Sequence, residues 1–144
     1  VRTRKNDLEG AYRAYVRATE TAPRDIQAWG GRTNLCLARH DWFGAVAHTT
    51  SAIALFPDAS SFWTERARAR YRLEDHEGAV ADCTKALALD PRSGDALLTR
   101  GASRERMDDI QGAIADLEKY LELYPKGHFA KDTREKLQRL RPAR

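Results

Sequence analysis

Apolar residues recur along this chain with the spacing of amphipathic helices. Ala79, Cys83 and Ala86 fall on one stripe, and Val80 and Leu87 lie beside it. This i, i+4, i+7 spacing is typical of a helix with one buried face, and no segment shows the alternation of a half-buried strand. The pattern therefore predicts an all-α protein. The corresponding stripes elsewhere are Ala11, Tyr15, Ala18; Ala45, Thr49, Ala52; and Ala113, Leu117, Tyr120.

Aspartates and prolines delimit these helices at a constant step of 34 residues. An aspartate can accept from the free N–H groups that begin a helix, and a proline cannot continue a helix interior. A second helical pattern fills the interval from each proline to the next aspartate, so the unit is helix, turn, helix, repeated as an array. The repeated segments DLEGA, DWFGA, DHEGA and DIQGA begin at Asp7, Asp41, Asp75 and Asp109, and the prolines are Pro23, Pro57, Pro91 and Pro125. Eight helices are predicted, at 7–22, 25–38, 42–56, 59–72, 76–89, 93–106, 110–123 and 127–140.

One array accounts for the whole chain, residues 1–144. The last helix has a polar outer face that suits a cap, whereas the first lacks a preceding partner. Since residue 1 is Val1 rather than methionine, we expect a fragment or processed form of a longer chain. The predicted parts are the second helix of a partial repeat (1–23), full repeats (24–57, 58–91, 92–125), and a capping helix with a tail (126–144).

Composition narrows the class of protein. The balance of 42% hydrophobic and 32% charged residues is that of a soluble globular domain, and the apolar runs are too short to span a bilayer. A cytoplasmic location is favoured. The net charge is +4, but arginines are dispersed along the chain, which makes nucleic-acid binding unlikely. Cys36 and Cys83 fall on apolar faces and are interpreted as packing residues.

The repeated unit resembles the tetratricopeptide repeat family over essentially the whole chain. The matching features are the period, an early aromatic in the first helix (Trp29, Trp63), two small residues in the second helix and the terminal proline. Leu97 in place of the aromatic and Tyr120 in place of the second small residue are departures. The resemblance implies an α-solenoid of antiparallel helix-turn-helix repeats forming a right-handed superhelix. It further implies no catalysis, and a concave groove, lined by the first helices, that binds peptides or helices of partner proteins.

The resemblance also indicates which residues line the groove. The favoured binding patch is Arg68, Tyr71 and Arg72, flanked by Asn34 and Arg106, because arginine and tyrosine together can hold a carboxylate while an apolar group packs nearby. The alternative is that these are solvated charges balanced by acidic neighbours. The candidate positions are Gln27, Gly30, Gly31, Asn34, Leu37; Ser61, Thr64, Glu65, Arg68, Tyr71, Arg72; and Asp95, Leu98, Thr99, Ala102, Glu105, Arg106.

One subtype of the family binds the C-terminal carboxylate of heat-shock chaperones through lysine, asparagine and arginine side chains. The corresponding positions here are Gly30, Asn34, Glu65, Asp95 and Thr99. Only Asn34 fits, and the two acidic residues would repel a carboxylate. We therefore do not expect this chain to bind in that way.

Two further columns repeat every 34 residues. Arginines on the first helices face mainly carboxylates on the second helices, which predicts a structural ladder in preference to a ligand site. The repeated glycine of the second helices is interpreted as letting the turn fold closely against the preceding helix. The columns are Arg32, Arg66, Arg100; His48, Asp82, Asp116; and Gly10, Gly44, Gly78, Gly112.

No residue pattern indicates catalysis, a metal or a cofactor. The four histidines lack ligand spacing, and no nucleophile elbow or phosphate-binding loop occurs. The sequence favours a non-enzymatic module that binds a protein or peptide partner and no small-molecule substrate. One alternative is an assembly element that self-associates, or packs on the rest of a longer chain, through the unpaired first helix, where Tyr12 and Tyr15 lack a neighbour. The other alternative is nucleic-acid binding. Trp42 and Phe43 are expected to be exposed and to offer a small edge contact.

Overall fold

The computed structural model describes residues 2–142, with side chains from residue 7 onward. This part of the chain contains eight α-helices and no strand, as predicted. Six of the helices begin and end within one residue of their predicted bounds. The helices are α1 (Arg2–Thr21), α2 (Ile26–Ala38), α3 (Trp42–Leu55), α4 (Ser60–Arg72), α5 (His76–Leu89), α6 (Gly94–Arg106), α7 (Ile110–Leu123) and α8 (Ala130–Leu140).

The aspartate caps are confirmed for three helices and wrong for the first. The Oδ1 atoms of Asp41, Asp75 and Asp109 accept from the backbone N–H three residues on, at 2.9 to 3.0 Å. Asp7 lies inside α1, which begins at Arg2. The preceding residues contain neither glycine nor proline, so nothing stops the helix before Asp7.

The capping helix α8 begins at Ala130 and not at residue 127, after a turn that contains Gly127.

Each hairpin turn uses one residue in the left-handed backbone region. His40, Glu74 and Asp108 have φ of 58°, 63° and 63°. The following aspartate N–H then reaches back to a carbonyl of the previous helix, as in the bond from Asp75 N to Arg70 O at 2.9 Å. This arrangement satisfies the last carbonyls of the first helix, and the same aspartate caps the second helix. The turn is therefore tight and identical in three successive repeats.

Successive helices pack against each other as hairpins, and the repeats stack into a solenoid. Small residues with no exposed surface, such as Ala45, Ala79 and Ala113, line the contacts. Because their side chains are short, neighbouring helix backbones approach closely. The early aromatics are fixed by their indole N–H groups: those of Trp29 and Trp63 donate to the carbonyls of the prolines that end the previous repeat, both at 2.9 Å.

The predicted arginine–aspartate ladder is present in two repeats. Arg66 on α4 and Arg70 one turn later both bind the buried carboxylate of Asp82 on α5, at 2.8 and 2.9 Å. Arg100 and Arg104 bind Asp116 in the same way, at 2.7 and 2.8 Å. Each carboxylate is thus shared by two guanidinium groups, which offsets the cost of burying the charge.

The ladder is interrupted in the first full repeat, where His48 takes the place of the aspartate. Arg32 donates to the Thr19 hydroxyl at 2.9 Å, but its buried Nε has no partner among the described residues. His48 instead lies 2.9 Å from the Tyr12 hydroxyl. Burial, reinforced by the charge of Arg32, lowers the pKa of His48 from its ordinary 6.5, which keeps the ring neutral.

The repeated glycine makes room for the capping carboxylate. A Cβ added at Gly44, Gly78 or Gly112 would lie 2.1 to 2.2 Å from Oδ2 of the aspartate that caps the same helix. At Gly112 the preceding helix is also close, through Arg104 Cδ at 2.9 Å. Gly10, inside α1, has nothing within 4 Å. The nearest obstacle to a side chain at Gly44 and Gly78 is therefore the capping aspartate, and Gly10 has no such obstacle.

The cysteines match the sequence interpretation. Cys36 and Cys83 are completely buried and unpaired. Burial raises the pKa of the Cys83 thiol to about 12, so it stays a neutral packing group. None of the helices in residues 2–142 is both long enough and apolar enough to cross a membrane.

Candidate functional site

The first helices of the three full repeats form one face of the solenoid. α4 contacts both α2 before it and α6 after it, whereas the second helices α3, α5 and α7 make no comparable contacts with each other. The first helices are therefore the closely spaced inner layer. Side chains that point away from the hairpin cores on α2, α4 and α6 face a common groove.

A pocket of about 400 Å³ lies in this groove, and we call it the basic pocket. Arg68, Tyr71 and Arg72 enter it from α4, while Leu37 comes from α2. The residues that α6 contributes are apolar or uncharged. One residue of the α2–α3 turn and the first residue of α3 close one end of the pocket. The remaining lining residues are Leu98, Thr99, Ala102, His40 and Trp42. Cationic, aromatic and aliphatic groups therefore converge on one cavity, and none of its lining residues is acidic.

Aromatic stacking holds the end of the basic pocket in place. The left-handed backbone of His40 turns the chain so that its ring stacks on Trp42, with centroids 5.2 Å apart and planes 13° apart. The Arg72 guanidinium lies 5.3 Å from the centre of the Trp42 ring. Tyr71 meets His76 edge to face at 5.2 Å. These contacts position Arg72 and Tyr71 without consuming the hydrogen-bond donors of the guanidinium.

The two arginines of the basic pocket are not held in close ion pairs by the side chains that the structure describes. Neither Arg68 nor Arg72 has a carboxylate within 4.0 Å among the side chains from residue 7 to 142, in contrast to the ladder arginines. Arg106 differs because it pairs with Glu74 at 2.8 Å. A ligand carboxylate could therefore bind Arg68 and Arg72 without first displacing an internal partner.

A second, smaller pocket of about 210 Å³ adjoins the first along α4, and we call it the acidic pocket. Arg68 belongs to both pockets. The acidic pocket contains three carboxylates, from Glu65 on α4, Asp90 at the end of α5 and Asp95 in the first turn of α6. Hydroxyl groups complete its lining, from Ser60, Ser61, Thr64 and Ser93.

Glu65 is the most perturbed acid of the site. Its Oε2 atom is buried and has no hydrogen-bond partner in the described part of the chain. Desolvation raises the pKa of its carboxyl from 4.5 to about 7, and the nearby Arg68 only partly opposes this. Near neutral pH the protein therefore holds a carboxyl that is partly protonated and lacks a donor.

The structure brings together four of the six predicted site residues. Arg68, Tyr71 and Arg72 meet in the basic pocket, and Glu65 lies next to them in the acidic pocket. Asn34 is exposed on α2 and lines neither pocket, and Arg106 also lines neither. The binding role of all six stays a prediction.

His40 in the α2–α3 turn and Trp42 at the start of α3 line the basic pocket, although neither was among the groove residues predicted from the sequence. Trp42 was expected to be exposed, but it is half-buried under His40 and Arg72. Phe43 is exposed as expected, at 78%. The sequence did contain a signal for the position of Trp42. It is the first residue of a second helix, so the hairpin turn places it next to the end of the first helix that lines the groove.

Known proteins share this fold. A tetratricopeptide repeat profile matches residues 74–138. The solved TPR domain of Arabidopsis OM64 is 30% identical, and the match covers 79% of this chain and 94% of that one with a TM-score of 0.74. This chain belongs to the tetratricopeptide repeat family. A comparison with curated proteins found no significant match.

Two further solved structures show how widely this TPR architecture extends. The first TPR of Spaghetti (RPAP3), bound to the HSP90 peptide SRMEEVD, is 25% identical, with coverage of 80% of this chain and 89% of that one and a TM-score of 0.75. A crystal structure of MamA is 18% identical over 96% of this chain and 81% of that one, with a TM-score of 0.80. The MamA likeness concerns the fold alone.

Among the described residues, the candidate site of this TPR protein contains no group of histidine, cysteine or acidic side chains placed to hold a metal ion. The groups of the site that can contact a ligand are the guanidinium groups of Arg68 and Arg72, the Tyr71 side chain and three carboxylates. They can form charge-assisted hydrogen bonds and apolar contacts with a ligand.

Proposed function

We propose that this TPR array is a non-enzymatic protein-interaction module that holds a peptide segment or helix of a partner protein in the groove formed by α2, α4 and α6. The observation that supports this most directly is the basic pocket. Two arginines that have no carboxylate within 4.0 Å among the described side chains lie there beside a stacked tryptophan and aliphatic side chains. Arginine and aromatic residues are the types that most often dominate binding energy at protein interfaces.

The solved relatives support the same class of function without supplying the ligand. The RPAP3 relative is described as bound to an HSP90 peptide. In this chain the positions expected to hold a chaperone tail include Gly30, which has no side chain, and two carboxylates, Glu65 and Asp95. We therefore propose peptide binding in the groove, but not the chaperone carboxylate as its ligand.

The two alternative functions have less support. Four arginines of the array, Arg66, Arg70, Arg100 and Arg104, are bound to buried aspartates and are not available to phosphates. Self-association was expected to use Tyr12 and Tyr15 of α1. Tyr12 is covered, since it hydrogen-bonds to His48 and packs on the core formed by α2, α3 and α4. The Tyr15 ring lies against Gly31 but is 37% exposed, so self-association through it stays a prediction.

The test is selection of ligands followed by charge reversal. A random peptide library displayed on phage is selected against the intact array, and the enriched peptides are measured by isothermal titration calorimetry. We expect Arg68→Glu with Arg72→Glu to weaken binding at least tenfold, because each change replaces a donor with a repelling charge. Circular dichroism should show an unchanged fold, since neither arginine is buried.

The matched control is Arg13→Glu with Arg139→Glu. Both residues are exposed and lie on α1 and α8, outside the groove, and the pair changes the net charge by the same amount. The control should bind like wild type. Equal affinities for all three proteins would overturn the groove assignment.

A further inference from the structure

The groove carries charges of opposite sign at its two ends. The basic pocket ends at Arg72 on α4 and Ala102 on α6, and the acidic pocket contains Glu65 and Asp95, seven residues earlier on each helix. At about 1.5 Å per residue, seven residues correspond to about 10 Å along either helix. The two helices therefore give the same separation between the far end of the basic pocket and the carboxylates of the acidic pocket.

This separation corresponds to a short stretch of extended peptide. An extended chain advances about 3.3 Å per residue, so about 10 Å is about three residues. The leucine and alanine side chains of the basic pocket, Leu37, Leu98 and Ala102, lie on the walls between α2 and α6. An apolar side chain next to the ligand's acidic residue would be covered by them.

We propose that the ligand is an extended peptide of mixed charge. It has an acidic residue with an apolar neighbour in the basic pocket and a lysine or arginine about three positions away in the acidic pocket. This inference rests on the proposed function and names the class of peptide that the groove selects. The structure argues for it through charge complementarity at both pockets, which share Arg68.

The carboxylates of the acidic pocket could use the donors that a basic side chain of a ligand would bring. Glu65 Oε2 is buried and without a partner, and no carboxylate of this pocket has an ion-pair partner within 4.0 Å among the described side chains. An ammonium or guanidinium group placed there would supply hydrogen bonds to Glu65 and Asp95. The protonated fraction of Glu65 would fall on binding, since a nearby positive charge lowers a carboxyl pKa.

A wholly acidic peptide fits only one end. Its second carboxylate would face Glu65, Asp90 and Asp95 with Arg68 as the one opposing charge in the acidic pocket. Like charges at such distances repel, and the repulsion is strongest where water is partly excluded. The groove should therefore disfavour a second acidic residue in the ligand. A groove that contained only the arginines would accept it.

The experiment uses synthetic octapeptides on a glycine–serine background. One carries a glutamate, an adjacent leucine and a lysine three residues from the glutamate, and a second has the same residues in reverse order. For each of the two orders, the lysine is replaced by glutamine in one comparison peptide and by glutamate in another. Binding to the ¹⁵N-labelled array is followed by titration of amide chemical shifts, which also reports where each peptide lies.

We expect one of the two lysine peptides to bind about fivefold more tightly than its glutamine counterpart, the scale of one partly exposed charge pair, and more tightly still than the glutamate peptide. Shifts should concentrate on α4 and α6. In the variant Glu65→Gln with Asp95→Asn, this preference for lysine should disappear while binding of the glutamate–leucine part remains. The control variant is Glu77→Gln with Glu20→Gln, two exposed acids outside both pockets.

A pH comparison adds an independent test. The charged groups that line the acidic pocket with Glu65 are Arg68 from its own helix, Asp90 from the end of α5 and Asp95 from α6; beyond Arg68 the basic pocket contributes Arg72 and His40. Because the lysine peptide requires ionised Glu65, its preference over the glutamine peptide should grow between pH 6 and pH 8 in wild type and not in the variant.

The possible results separate this inference from the proposed function. If the glutamate peptide binds in the groove as tightly as the lysine peptides, or if the lysine preference survives in the Glu65→Gln, Asp95→Asn variant, the mixed-charge inference is wrong and peptide binding stands. If no library-selected or synthetic peptide depends on Arg68 and Arg72, the proposed function fails as well. Tightest binding by a lysine peptide, lost selectively in the variant, supports both.

Discussion

Glu65→Gln should stabilise this protein at alkaline pH and leave its stability unchanged at acidic pH. The wild-type carboxyl is held beside Arg68 in a poorly hydrated position where Oε2 has no donor, and its pKa is raised to about 7. In the unfolded chain the same group titrates near its ordinary 4.5. Between these values the folded state binds the proton more strongly than the unfolded state. Stability is therefore greatest below pH 4.5 with respect to this group and is lost as pH rises through 7.

The magnitude follows from the difference between the two pKa values. One pKa unit corresponds to about 1.4 kcal/mol, so a rise from 4.5 to about 7 gives a ceiling of about 3 kcal/mol. Glu65 is half-buried and can reach solvent by a small movement, so we expect about 2 kcal/mol at pH 8. A glutamine has the same shape and no charge to desolvate. The variant should therefore recover this free energy at pH 8 and nothing at pH 4.

The measurement is urea unfolding followed by circular dichroism at pH 4, 6, 7 and 8. The difference in unfolding free energy between Glu65→Gln and wild type is plotted against pH, which removes the contribution of every other titrating group. Glu20→Gln, on the exposed side of α1, is the control and should give a flat difference. If Glu65→Gln is also flat, or is less stable than wild type at pH 8, Glu65 is hydrated and the reasoning fails.

Three further predictions concern the rest of the array. Asp116→Ala should lower the unfolding free energy by about 3–5 kcal/mol in urea melts, because it leaves two guanidinium groups without their buried partner; a loss below 1 kcal/mol would contradict this. Gly10→Ala should stabilise by about 0.5–1 kcal/mol, whereas Gly78→Ala should destabilise, since its Cβ would displace the Asp75 cap; equal signs would refute the cap explanation. Burial lowers the pKa of His48, so stability is lost as pH falls below 6.5, and His48→Gln should abolish that part of the pH dependence in thermal melts.

The architecture was predictable because the information lies in the spacing of residues. A period of 34 places the same residue types at the same points of each helix pair, and capping, turn and packing signals then agree. The first helix was predicted less well for a local reason. The DLEGA segment repeats the sequence that caps the other second helices, but no turn precedes Asp7. Asp7 therefore lies within a continuous helix and not at a helix start that it could cap.

The candidate site was predicted in part because sequence period identifies a helix face but not the path of a turn. Arg68, Tyr71 and Arg72 share one face of α4, and the structure places them together. Trp42 lies in the same pocket because the backbone of His40 adopts the left-handed conformation. A histidine in a sequence does not predict that conformation. The pKa of Glu65 was also beyond prediction, since it depends on how closely two helices exclude water.

The sequence of α4 shows how one residue type serves both the fold and the proposed function. Arg66, Arg68, Arg70 and Arg72 occupy alternate positions, and two residues turn a helix by about 200°. The pair at 66 and 70 consequently faces α5 and shares the buried Asp82, while the pair at 68 and 72 faces the groove with no acidic partner among the described side chains. Removing a charge from the first pair unbalances a buried ion cluster, whereas removing one from the second takes a cation from the groove and breaks no ion pair among the described side chains. The net charge of the chain therefore says little about its ligand, because the arginines that share buried aspartates are not available to one.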